Sequence, residues 1–162
     1  MREMPEKKLD PRVKNVWRIV DALWVLIIVG CIMAATLPIV ALLDGSILKV
    51  LATVELVVLV ALLVVVLFVL PPIRYVRWRY QVTPEYLDIA KGIIWRKRYT
   101  IPFIRVQNTD TRQGPVLRMF GLANVTVATA AKEHEIPGLD FQVAGELRDR
   151  AAELARLARE DV

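Results

Sequence analysis

Histidine and cysteine each occur once in the 162 residues, as His134 and Cys31, and that scarcity excludes a good deal of chemistry. With one histidine a two-His zinc site cannot be assembled, and a His-based triad or proton relay lacks parts. His134 lies between Glu133 and Glu135 in a polar stretch and reads as a solvated surface side chain. A lone thiol forms no internal disulfide; Cys31 falls in the middle of an apolar run, too deep for palmitoylation, and reads as a small packing residue. No glycine-rich phosphate loop of the GxxxxGK[ST] or GxGxxG type occurs. Asp88, Asp110 and Asp140 each stand where a cap, a turn or a solvent-facing strand position employs a carboxylate, without the partners that acid–base catalysis needs. No catalytic residue, metal ligand or cofactor is therefore expected, and the chain reads as non-enzymatic. The formal charge of +5 is basic, but no helix clusters the cations as a nucleic-acid reader does, so nucleic acid is not an expected partner.

Charge is also missing from two long stretches. Ala22 to Leu43 has none, and Val50 to Leu70 has only Glu55. Each is long enough to cross an apolar slab of about 30 Å at about 1.5 Å per helical residue. They account for a hydrophobic fraction of 56%, above the roughly 45–50% of an average soluble domain. Trp24 suits a headgroup-level position, and Pro71-Pro72 is expected to stop the second helix. The first run is too long for the core of a cleaved signal peptide. Only Asp44 to Lys49 separates the two runs, so a tight antiparallel hairpin follows. Arg2, Lys7, Lys8, Arg12, Lys14 and Arg18 precede it and Arg74, Arg77 and Arg79 follow it, against Lys49 alone in the loop. That asymmetry predicts a two-span protein with both termini in the cytoplasm. Residues 1–15 read as a loose cytoplasmic arm, 16–72 as the transmembrane hairpin and 73–162 as a cytoplasmic domain.

After Ile73 the period becomes two. Tyr80 to Thr83 leads through Pro84-Glu85 to alternating Leu87, Asp88, Ile89 and Ala90, and Lys91-Gly92 reads as a hairpin reversal. A strand over Ile93 to Ile101 places Ile93, Trp95, Lys97, Tyr99 and Ile101 on one face and Ile94, Arg96, Arg98 and Thr100 on the other. Strands over Ile104 to Thr111 and Asn124 to Ala130 follow, separated by one helical turn from Pro115 to Phe120 that Gly121 ends. Ile136 to Leu139 is a last short extended piece. From Asp140, a potential cap, Ala144, Leu147, Ala151, Leu154 and Ala158 recur at helical spacing. The expected fold is a membrane α-hairpin plus a mainly β, α+β domain whose curved antiparallel sheets are closed by a C-terminal helix.

The stretch YQVTPEYLDIAKGIIWRKRYTIPFIRVQNTDTRQGPVLRMFGLANVTVATA, with HEIPGLD before a helix, resembles the bacterial pleckstrin-homology-like (PH-like) domain of the YdbS-like membrane proteins. The resemblance rests on Gly92 before an apolar-basic strand, Ile101-Pro102 with Ile104 and Gln107, and Arg118-x-x-Gly121-Leu122. With the two preceding spans it covers nearly the whole chain. It implies two near-orthogonal sheets capped by a helix, a plasma-membrane location and no accepted catalytic site. It also implies assembly with a larger membrane protein bearing repeated copies of the domain. The lipid motif of eukaryotic PH domains has no counterpart here, so that function does not transfer.

Residues 71–100 hold seven cations against Glu85 and Asp88. Trp95 with Arg96, Lys97 and Arg98, helped by Arg74, Arg77 and Arg79, forms a candidate contact for anionic lipid headgroups; a solvated strand face beside a positive-inside flank is the other reading. Leu117, Met119 and Phe120 form a candidate contact with a second copy or a related membrane partner, or else belong to the core. The expected function is a membrane-anchored module acting in an assembly, on anionic lipid, or both. An ion- or proton-linked role at Glu55 is the alternative, set against a carboxylate resting near the helix N-terminus.

Overall fold

The computed structural model describes residues 5–40 and 45–160. It divides into two compact units, one formed by residues 17–71 and the other by the residues on either side of them.

The first unit contains most of helices α1 (Val13–Val40) and α2 (Gly45–Val64). Two windows, Val13–Thr36 and Gly45–Arg77, are long and apolar enough to span a membrane. Their apolar side chains are largely exposed, Ile27 at 55% and Val57 at 60%; a core helix of a soluble protein would bury them. Two hydrogen bonds set the helices antiparallel. Thr36 Oγ1 donates to Glu55 Oε1 at 2.8 Å, and Arg18 Nε donates to the carbonyl of Leu67 at 2.8 Å. Of the expected reversal at Asp44 to Lys49, Gly45 to Lys49 are helical instead, since α2 already begins at Gly45, and Asp44 lies outside the described residues.

The prolines do not stop the second helix. A π-turn over Val65–Val69 precedes them, with the N–H of Leu70 bonded to the carbonyl of Val65, and helix α3 (Leu70–Arg77) runs through both. Pro71 has no N–H for the carbonyl of Leu67, and Arg18 supplies the missing donor.

The second unit holds two three-stranded antiparallel sheets. One orders β1 (Arg79–Val82), β2 (Tyr86–Lys91) and β3 (Lys97–Pro102); the other orders β4 (Val106–Arg112), β5 (Leu122–Thr129) and β6 (Glu133–Asp140). A 3-10 turn, Phe103–Arg105, joins them, and the short helix α4 (Pro115–Met119) bridges β4 to β5. Register shifts at Val106/Asn108 and Ala123/Val125 bend the second sheet. Helix α5 (Phe141–Glu160) packs on β4, β5 and the 3-10 turn. Its face Ala144, Leu147, Ala151 and Ala155 is buried, as are Leu87, Ile89, Ile101, Phe103, Val106, Leu122, Val125, Val127, Ile136 and Leu139. Asp140 caps the helix through the N–H of Gln142 at 3.0 Å.

Two sequence readings change here. β6 is a full strand of eight residues, hidden in the sequence by Pro137-Gly138. The N-terminal arm is fastened rather than loose over residues 5–12: Lys7 exchanges both backbone bonds with Tyr80 at 3.1 and 3.0 Å, and Leu9 is buried. Arg12 reaches Asp10 at 2.9 Å, Asp140 at 2.7 Å and the carbonyl of Phe120 at 3.1 Å.

Candidate functional site

The expected strand from Ile93 begins only at Lys97, which pairs with Lys91. Residues 92–96 form a loop instead. Gly92 makes it possible, with φ +120° and a position where a Cβ would lie 1.9 Å from the carbonyl oxygen of Trp95. The loop sets Ile94 and Trp95 at its tip, 84% and 80% exposed. Trp95 is thus not on the apolar face of a strand, as the alternation implied.

The cations gather around this tip. Arg77, Arg79, Arg96 and Lys97 line one groove of about 470 Å³. Arg74, Trp78, Trp95 and Lys97 line another of about 360 Å³, and Lys91, which borders both, lies 5.5 Å from the Trp78 ring centroid. No carboxylate is among the described residues lining either groove. Arg98 differs from its neighbours. Its Nε donates to Asp88 Oδ2 at 2.9 Å, and Thr100 Oγ1 adds a 3.3 Å contact to the same carboxylate. Asp88 was expected to face solvent, yet its side chain is 2% exposed, held against Arg98 and Thr100 of the adjacent strand β3. The Arg98 charge is therefore largely spent on Asp88, and Arg79 donates to the carbonyl of Trp78 at 2.7 Å. Arg96 and Lys97 remain the exposed cations next to the apolar tip.

Leu117, Met119 and Phe120 border neither groove. They lie on or just after α4, with Met119 76% exposed and Leu117 and Phe120 half-buried. Glu55 has a structural partner in Thr36.

Sequence reasoning missed a third feature. A cleft of about 1060 Å³ is lined by β3, the 3-10 turn, the β5–β6 turn and Arg159 of α5. At its wall stands His134, which is not an exposed surface side chain but only 8% exposed, its ring 5.0 Å from that of Tyr99 in an edge-on arrangement. Burial pushes its pKa below the ordinary histidine value, and Lys132 and Lys91 push the same way. The one sequence signal, Lys132 near a lone histidine, is indistinguishable from an ordinary surface loop.

Two membrane-length apolar helices followed by two curved sheets and a closing helix define a membrane-anchored PH-like protein. The family described as "Bacterial PH domain" matches residues 19–155, and the chain belongs to it. It is 37% identical over 166 aligned positions to the "UPF0699 transmembrane protein YdbS" of Bacillus subtilis (strain 168), with all of both chains covered. No solved structure matches.

Proposed function

We propose that this protein is a non-catalytic module of the plasma membrane whose PH-like domain docks on anionic lipid headgroups through the β2–β3 loop. The carrying observation is the pair Ile94 and Trp95, exposed at a tip beside Arg96 and Lys97. An apolar tip is costly in water and suits the headgroup boundary, and each neighbouring cation gains about 1 kcal/mol near an anionic leaflet. Arg74 and Arg77 add to the same field, while Arg98 contributes less because Asp88 neutralises it.

The test uses the full chain, since the N-terminal arm is part of the folded unit. A spin label at Ile94→Cys in a Cys31→Ser background is read for oxygen and aqueous-quencher access in nanodiscs. Immersion of the label in phosphatidylglycerol-containing discs, lost with Arg96→Gln/Lys97→Gln, is the expected result. Equal aqueous access in neutral and anionic discs removes the reading.

The exposure of Met119 beside half-buried Leu117 and Phe120 favours a second, compatible role, contact with another copy or a larger membrane protein carrying repeated PH-like domains. Crosslinking from Met119→Cys in intact membranes captures such a partner; recovery of monomer alone counts against it.

A further inference from the structure

The third cleft carries its own chemistry. Its described lining has four cations, Arg98, Arg105, Lys132 and Arg159, and no carboxylate. Two of these are engaged, Arg98 by Asp88 and Arg159 by the carbonyl of Val106. Arg105 makes no ion pair among the described residues and is exposed. Lys132 Nζ rests 4.0 Å from the Tyr99 ring centroid, held at the cleft wall by that cation–aromatic contact.

His134 is the second, independent observation. The residue is only 8% exposed and borders the cleft, and its ring nitrogens, without a hydrogen-bond partner among the described residues, stay open to solvent there. An imidazole fixed at the wall of a cationic cleft with its N–H unengaged is a donor positioned for a ligand there. An oxyanion meets all three demands at once, accepting a hydrogen bond from the imidazole N–H while neutralising Lys132 and Arg105. A carbonyl-type ligand would satisfy the histidine and leave the cations uncompensated.

We propose that this cleft binds a phosphate-type oxyanion, gripped by Lys132 and Arg105 and hydrogen-bonded by His134. The site shares none of these three residues with the β2–β3 loop tip, so it stands or falls apart from the lipid docking proposed above. A soluble phosphate ester and a phospholipid headgroup both present this chemistry.

The lone histidine makes the test direct. Untagged full-length protein labelled with ¹⁵N-histidine, in phosphatidylcholine nanodiscs, is titrated with glycerol 3-phosphate; in a second series phosphatidic acid is added to the discs instead. A saturable shift of the His134 ring signals in the first series identifies a soluble ester as ligand, and one in the second identifies a headgroup. In either case Lys132→Gln and Arg105→Gln should each raise the midpoint about tenfold, the loss of one charge-assisted contact, whereas Arg150→Gln, exposed on α5 and outside the lining of the cleft, leaves it in place. Both substituted side chains are exposed, and an unchanged unfolding midpoint verifies that the variants fold. Signals that stay still in both series, or that shift equally in both Gln variants, overturn the proposal.

Discussion

Gly138 shows how much a single residue decides. Its φ is +59°, and a Cβ there would lie 2.0 Å from Cγ2 of Val13, a fully buried side chain of the N-terminal arm. Gly138→Ala should cost about 2–4 kcal/mol from the left-handed backbone and the overlap together. Val13→Ala added to it should recover little in denaturant unfolding of the detergent-solubilised chain, because the Cβ of residue 13 still lies 2.5 Å from the added carbon. His134 sets a pH response at the same scale. Its folded-state pKa lies below the ordinary 6.5, chiefly through burial, so the unfolded chain takes up the proton more readily. Stability should then fall as pH drops below about 6.5, levelling off once the folded-state pKa is passed. His134→Gln should flatten that limb of the unfolding curve. Asp10 and Asp140, both lowered by hydrogen bonds from Arg12, act in a separate window. Their contribution is present above the ordinary carboxylate pKa and disappears as pH falls below it.

At the scale of elements, the second helix depends on a side chain from the first. The π-turn moves the ladder out of register just before Pro71-Pro72, and Arg18 caps the carbonyl of Leu67 that Pro71 cannot serve. In an apolar surround an unserved carbonyl is expensive, so Arg18→Met should loosen the segment. Hydrogen exchange in nanodiscs should report faster amide exchange from Phe68 to Arg77, and a change indistinguishable from wild type would show that the turn holds without Arg18. The β2–β3 pair depends likewise on Asp88. Asp88→Asn keeps a polar group but loses the charge facing Arg98, with an expected cost of about 1–3 kcal/mol. Arg98, now unneutralised, should then strengthen attachment of the loop to anionic discs.

For the whole molecule, two observations of different kind support a prediction of topology. The backbone bonds between Lys7 and Tyr80 join the segments on either side of the hairpin into one unit, an arrangement that a protein spanning the bilayer twice forms with both flanks in one compartment. The excess of Lys and Arg on those flanks favours the cytoplasm. A thiol at Ser46→Cys, with Cys31→Ser, should therefore react with an impermeant reagent outside intact cells, while a reporter fused after Val162 stays protected. Labelling from the inside only would reverse the orientation.

Local pattern alone determined the two spans, the switch to period two after Ile73 and the closing helix with its cap, because length, alternation and helical spacing are properties of neighbouring residues. It also brought Trp95, Arg96 and Lys97 forward as candidates, since composition does not depend on where the chain turns. Tertiary structure decided the rest. Whether Ile93 to Arg96 is strand or loop depends on the Lys91–Lys97 register, and the Asp88 carboxylate is held in by Arg98 and Thr100 of the neighbouring strand. His134 is only 8% exposed, with Tyr99 of a different sheet edge-on against its ring. Such burial arises from contacts between residues distant in sequence, which a period counted along one strand cannot register.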